Sequence, residues 1–358
     1  MSVISKLKNA SMTARKIRRS ILVKQSNKSY FKKLRDHNLQ IRELSTEQKK
    51  QIDDVYKKYN LKYGYDTHKL VYSVSGKFDP YVMPEDLFRQ IELKLNNVEF
   101  KGAWSDKSYF DYFFPEIKFP VTVVRNIAGT FYNNSYDIIS KEEAKAIVSK
   151  YEKFAIKPSL DNGTGKGVAL GTSSDNLDKL FKKYKKDYVI QEVIKQHGNI
   201  AQFNESSVNV VRFISLFLND RVIPVMAALR VGAKGAFNDN SITKEGEGML
   251  VIGIDEKGRL KKDAYMSCGM RTEVSHSGAR FEGVEIPGFE KMKEIIKKGH
   301  KMMPNFKFVA WDFAVTEEGE VLVMEYNIKG PGVLYYQYVN GPLFGEYTDE
   351  LLKYVQEN

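Results

Sequence analysis

The sequence predicts an α+β protein, a mainly helical N-terminal region leading into largely antiparallel sheets with helices packed on them. Three observations predict it. Residues 36–118 open helices with recognisable caps and carry little strand pattern. From residue 119 onward, short β-branched and aromatic runs alternate with a few helical stretches. Two pairs of those runs are joined by short turns, Asn219-Asp220 and Glu317-Glu318-Gly319-Glu320, which read as antiparallel hairpins.

Charge sets the first 35 residues apart. The 358-residue chain has a net charge of +11. Residues 1–35 hold eleven Lys and Arg and no Asp or Glu, so the remainder is electrically balanced. A nucleic-acid-binding fold usually spreads its basic stripe over the folded body, so no nucleic acid is expected as a partner. Val3, Ile4, Leu7, Ala14, Ile17 and Ile21 fall roughly on one side of a helix. Such a basic amphipathic arm can lie on an anionic membrane surface, at about 1 kcal/mol per basic residue. A solvated leader or a protein contact explains the same residues, and both readings stay open.

Hydrophobic content of 42% with 12% aromatics excludes a disordered chain. The single cysteine, Cys268, rules out an intrachain disulfide and suits a reducing compartment. No apolar run reaches the ~20 residues of a membrane span, and no signal-peptide core is visible. The expected location is cytoplasmic, at the inner face of the membrane if the arm docks.

The elements follow in order. Ser45 with Gln48 forms a capping box that starts a helix to about residue 59, and Pro84-Glu85-Asp86 starts another to about residue 95. Strands are expected at 121–125 and 130–132, then a helix capped by Ser140 with Glu143. Next come a strand at 154–157, a glycine-rich loop at 161–167, a strand at 168–170, a helix near 175–186 and a strand at 188–194. Long strands at 208–218 and 221–231 precede a shorter hairpin from 250–254 to Leu260. A helix over 288–302, strands at 308–316 and 321–327, and a closing helix near 346–356 complete the chain. The divisions are a basic arm 1–35, a helical region 36–118, and two α+β subdomains, 119–195 and 196–358.

The last hairpin carries the sharpest chemical signal. With its turn centred between Glu318 and Gly319, Asp312 lies directly opposite Glu325. Two carboxylates facing across a strand pair sit ~5 Å apart and repel, which a divalent cation converts into a site. Asn327, two residues on, shares the same face and offers a third oxygen. Such hard oxygen ligands suit Mg²⁺. A frayed or bulged hairpin with one carboxylate in solvent is the alternative.

Lys157-Pro158-Ser159 ends a strand and leads into Asp161-Asn162-Gly163-Thr164-Gly165-Lys166-Gly167. Alternate glycines let backbone N–H groups approach an anion, and the lysines add charge. The spacing is neither a Walker loop nor a dinucleotide fingerprint, and an ordinary glycine-rich hairpin would look alike.

As an ordered set these pieces resemble the ATP-grasp superfamily: a Lys-Pro strand, a glycine loop, a strand ending in Gln191-Glu192, then Asp312 and Glu325-Tyr326-Asn327. The closer likeness is to the sugar-transfer-associated ATP-grasp group of polysaccharide and capsule biosynthesis. It is carried by Ser206 to Arg212, Leu229 to Gly232, Asn238-Asp239-Asn240, His276 through Phe281 to Pro287, Val309 to Asp312, Tyr81 to Leu87, and Asp106-Lys107. The resemblance implies two subdomains clasping ATP, with 119–195 as lid and hinge and 196–358 as the metal-binding part. It implies that Lys157 and the loop residues Gly163, Thr164, Gly165, Lys166 and Gly167 bind the phosphates, with Arg125 standing in for an earlier lysine. Gln191, Glu192, Val193 and Ile194 would line the adenine pocket. Asp239, Asn240 and His276 would lie near nucleotide or acceptor, and Asp312, Glu325 and Asn327 would hold the metal.

Arg212 and Arg230 are expected to neutralise the transferred phosphate. Many such ligases carry an arginine two residues before the metal aspartate; here that place is Ala310, so another cation must serve. The implied activity is an ATP- and Mg²⁺-dependent carboxylate–amine ligation through an acyl phosphate, joining a sugar acid or polysaccharide precursor to an amine or amino acid. A sugar kinase would use the same residues, and a non-catalytic nucleotide-binding scaffold of a glycan-assembly complex is a third reading. The sequence does not name the oligomeric state.

Overall fold

The computed structural model describes residues 21–160, 167–233, 235–236 and 248–358. Gly163, Thr164, Gly165, Lys166, Asp239, Asn240 and most of the basic arm lie outside the described residues.

Two antiparallel sheets organise the chain. The first has six strands: β1 (Thr122–Ile127), β2 (Thr130–Tyr132), β3 (Ile138–Ile139), β4 (Lys153–Pro158), β5 (Ala169–Thr172) and β6 (Tyr188–Glu192), in the order β3-β2-β1-β6-β4-β5. The second has seven: β7 (Val210–Leu218), β8 (Arg221–Val231), β9 (Leu250–Ile254), β10 (Leu260–Met266), β11 (Arg271–Thr272), β12 (Phe308–Val315) and β13 (Val321–Asn327), in the order β11-β10-β9-β8-β7-β12-β13.

Two helices cover one face of the six-stranded sheet, and the turn around Ser108 packs against the other. Helices Lys141–Val148 and Leu177–Tyr184 lay Ala144, Val148, Leu177 and Phe181 onto Phe154, Ile156, Tyr188 and Ile190. The expected box at Ser140 closes both ways, Ser140 Oγ accepting from Glu143 N and the Glu143 carboxylate from Ser140 N. Side chains alternate along a strand, so Lys157 points to the opposite face, where Arg125 and Val189 are also buried.

The seven-stranded sheet is covered on both faces, which is why β7 and β12 are almost continuously buried. On one face Phe213, Trp311 and Phe313 meet Phe289, Met292 and Ile296 of helix Phe289–Lys301. On the other, Ile214, Leu216, Phe308 and Ala310 meet helices Thr46–Tyr56, Glu85–Leu95, Leu334–Asn340 and Thr348–Glu357. The helical N-terminal region is therefore part of this sheet's core. Asn96, the C-cap of helix Glu85–Leu95, fastens it there: its amide donates to Phe308 O and Ile328 O, both at 2.7 Å, and its Oδ1 accepts from Phe308 N at 3.0 Å.

The β12–β13 hairpin differs from the expected one in an instructive way. Its loop is Thr316–Glu320, closed by Thr316 N to Glu320 O at 2.9 Å, with Gly319 at φ +84°. Near the turn the pairing is Val315 with Val321 and Phe313 with Val323. Left unbroken, that register would set Asp312 against Met324 and turn Glu325 into the apolar face. A bulge between Phe313 and Asp312 moves β13 by one residue, so Asp312 pairs with Glu325 and Ala310 with Asn327. The longer loop and the bulge offset each other.

Candidate active site

Asp312 is 2% exposed on the face shared with the N-terminal helices. Arg212 is its direct cross-strand partner on β7. Arg212 Nε donates to Asp312 Oδ1 at 2.6 Å, and Arg212 Nη2 donates to Oδ2, giving a two-pronged pair. Arg230 lies on the same face, diagonal to Arg212, with Nη2 at 3.5 Å from Asp312 Oδ2. Asn327 Nδ2 is 3.3 Å from that oxygen. Ala310 is fully buried and pairs with Ile214, one step along the ladder from the Asp312–Arg212 pair.

Glu325 reaches further out, its side chain about a third exposed, and meets Lys107 Nζ at 3.4 Å. Burial pushes the Glu325 carboxyl up, but Lys107, Lys157, Arg212 and Arg230 outweigh it and hold it down at about 2. Lys157 arrives from the six-stranded sheet. Burial pushes its ammonium down to about 8, with Lys107 adding to the shift and Glu325 opposing it. The hairpins are tied across the two sheets as well, since Glu317 N donates to Lys195 O at 2.9 Å just past β6.

Lys107, of the Asp106-Lys107 pair, is a residue of this cluster to which the sequence assigns no phosphate role. Asp106 Oδ1 caps a short turn by accepting from Ser108 N at 2.9 Å, and Lys107 N donates to Ser159 O at 2.9 Å. Those bonds hold Lys107 against the end of the Lys157 strand.

Arg125, expected in this role, is placed elsewhere. It is fully buried, and Nε donates to Ser108 O at 3.0 Å while Nη1 donates to Asn133 O at 3.0 Å and Asn134 O at 3.1 Å. Nη2 pairs with Asp111, and the guanidinium lies 4.1 Å from the centre of the Tyr136 ring. These partners engage four of its five N–H donors in holding the segment around Ser108 onto β1, which makes it a framework residue.

The hinge residues divide between the two faces of β6. Gln191 is buried, donating to Thr122 Oγ1 at 2.8 Å and Pro120 O at 3.2 Å. Glu192 pairs with Phe154, which puts its side chain on the helix-covered face beside Tyr151, opposite to Lys157. Val193 is exposed and Ile194 half-buried. His276 sits in a turn of its own, its Nε2 3.1 Å from Gly248 O. His197 Nδ1 accepts from Asn199 N at 3.2 Å as a local cap. Gly167 adopts φ +78° where the chain leaves the glycine loop.

The donor set fits Mg²⁺. Among the described residues no three His, Cys, Asp or Glu gather as a metal cage. Two carboxylates and an amide on one sheet face are instead the partial set that Mg²⁺ completes with phosphate and water. Four cations around two carboxylates leave room for a strongly anionic ligand.

A comparison with curated proteins finds no match. Among solved structures the chain is similar to the ATP-grasp ligase PsnB complexed with a minimal precursor, at 14% identity and TM-score 0.43, over 75% of this chain and 68% of that one. It is similar to D-alanyl-alanine synthetase A from Vibrio cholerae, at 14% identity and TM-score 0.43, over 72% and 65% of the two chains. The VanG D-Ala:D-Ser ligase from Enterococcus faecalis matches at 17% identity and TM-score 0.42, over 70% and 60%. The chain thus spans about two thirds of the length of these structures. The model of the sugar-transfer associated ATP-grasp family matches residues 89–349, which cover the helical segment from Arg89, both sheets and every charged group of the site. The chain belongs to the sugar-transfer associated ATP-grasp family.

Proposed function

We infer that the protein is an ATP- and Mg²⁺-dependent ligase that joins a carboxylate to an amine. The observation that carries this is the junction of the two sheets, where Lys107, Lys157, Arg212 and Arg230 converge on Asp312 and Glu325. Mg²⁺ held by Asp312, Glu325 and Asn327 supplies Lewis-acid charge at the terminal phosphates. Lys107 and Lys157 bind the phosphate chain, and Arg212 and Arg230 neutralise the transferred group. A substrate carboxylate oxygen attacks the γ-phosphorus, the bond to the β-phosphate oxygen breaks, and ADP leaves. An amine then attacks the acyl carbon and phosphate departs, taking up the proton that the amine loses. The chain contributes position and charge rather than a covalent intermediate.

The family's association with sugar transfer supports a sugar acid as the carboxylate, within surface polysaccharide or capsule biosynthesis, with an amino acid or other amine as acceptor. The hinge from Gln191 to Ile194 is the proposed adenine side, and Gly163 to Gly167, Asp239, Asn240 and His276 are proposed to face phosphate or acceptor. The basic arm, whose described part forms a helix over 21–36 with Ile21 and Leu22 exposed, supports docking on an anionic membrane surface from the cytoplasmic side. Among the described residues no helix is long and apolar enough to cross a membrane.

Hydroxylamine trapping tests the reaction. Mg-ATP, the protein and a panel of uronic acids should yield a hydroxamate together with ADP, because hydroxylamine captures an activated acyl group and ADP rather than AMP marks it as an acyl phosphate. A phosphorylated sugar with no hydroxamate would establish the kinase instead, and no turnover of ATP with any acid or sugar would favour the scaffold.

A further inference from the structure

We propose that Arg212 guards Asp312: in the nucleotide-free protein its guanidinium occupies the carboxylate, so a divalent cation enters only together with nucleotide phosphates. The proposal rests on the ATP reading above and extends it to the order in which the ligands are accepted.

The geometry is specific. Asp312 is 2% exposed and Arg212 8% exposed, so their pairing is shielded from water. Both carboxylate oxygens are taken by Arg212, Oδ1 by Nε at 2.6 Å and Oδ2 by Nη2. Oδ2 also faces Arg230 Nη2 at 3.5 Å and Asn327 Nδ2 at 3.3 Å. Thus two of the three oxygen-bearing groups suited to the metal already face each other or a guanidinium. The third, Glu325, has Lys107 at 3.4 Å. A lone divalent cation would have to displace a buried two-pronged arginine and leave that guanidinium beside a new positive charge.

A nucleotide removes this obstacle. Its phosphates offer the planar fork the same paired oxygens that Asp312 now provides, so Arg212 exchanges one anion for another. Asp312 is then released in the step that brings the metal. Placing this arginine across the ladder makes such an exchange possible, because Arg212 sits on β7 while the hairpin bearing Asp312, Glu325 and Asn327 can stay fixed.

Mn²⁺ is the probe, read by its electron paramagnetic resonance signal in full-length protein, with and without ADP. Removing the fork should move two affinities in opposite directions. Arg212→Met should bind bare Mn²⁺ at least tenfold more tightly than the wild type, and should bind ADP at saturating Mn²⁺ at least tenfold more weakly. Arg212→Lys, which keeps the charge without the fork, should lie between in both and serves as the readout if Arg212→Met does not fold by circular dichroism. Equal or weaker binding of bare Mn²⁺ by the variants would overturn the proposal. Failure of the wild type to bind ADP at any Mn²⁺ concentration would overturn the ATP reading instead, separately from the bare-metal comparison.

Discussion

Arg125 and Arg212 are both strand arginines, both buried, and both paired with an aspartate, but their surroundings differ in balance. Arg125 spends its donors on three main-chain carbonyls and Asp111 and rests against the Tyr136 ring. Arg212 shares its aspartate with Arg230 and stands near Glu325, Lys107 and Lys157. A satisfied guanidinium is part of the framework, whereas crowded like charges beside a half-open carboxylate need another ligand. The difference teaches that burial and charge alone do not mark a site; unfinished pairing does.

The comparison breaks most visibly if Asp312 can be spared. Asp312→Ala should lower ATP turnover by ~10³-fold or more, since it removes a metal ligand and the partner of two arginines. Phosphate release measured on folded protein checks this, and near-normal turnover would refute the metal assignment. Arg125→Met should show the opposite profile. Breaking a buried pair costs about 3–5 kcal/mol. Its urea midpoint should fall accordingly, while the folded fraction keeps its ADP affinity; a selective loss of that affinity with unchanged stability would return Arg125 to the site.

Lys107→Met sharpens the comparison from the other side. Loss of one charged hydrogen bond is worth roughly 1.5–3 kcal/mol, so the KM for ATP should rise about 10- to 100-fold with little change in melting temperature. An unchanged KM, measured by initial rates against ATP concentration, would remove Lys107 from the phosphate path.

These residues also show what the sequence could and could not disclose. Centring the turn between Glu318 and Gly319 set Asp312 against Glu325, and the observed pairing agrees because the longer loop and the bulge offset each other. The bulge before Glu325 was not legible: no glycine or proline announces it, and it accompanies the packing of Tyr326 into the apolar core on the opposite face. Arg125 and Lys107 exchanged expectations for a similar reason. A strand arginine standing in for a phosphate-binding lysine looks available until the carbonyls of Asn133 and Asn134 close on it from a separate turn. A lysine after a capping aspartate looks ordinary until Ser159 holds it at the site. Helix Leu334–Asn340 was likewise unread, since its run of tyrosines is a weak helix former and its burial against helix Asp66–Ser75 and the second sheet supplies the stability.

Within the cluster, the lysines and arginines should separate by pH. Burial first, then Lys107, lowers the Lys157 ammonium to about 8. An arginine stays charged throughout the accessible range. A phosphate binds the protonated amine, so ADP affinity should be full below pH 8 and weaken by ~10-fold per unit above it as Lys157 loses its proton. Glu325, held at about 2, stays ionised and adds no loss down to pH 5. Calorimetric titration of ADP with Mg²⁺ between pH 6.5 and 9.5 measures the slope, and Lys157→Arg should flatten it. A wild-type profile that stays flat to pH 9.5 would mean that Lys157 does not carry the phosphate, and that the arginines and Lys107 hold it without help from the six-stranded sheet.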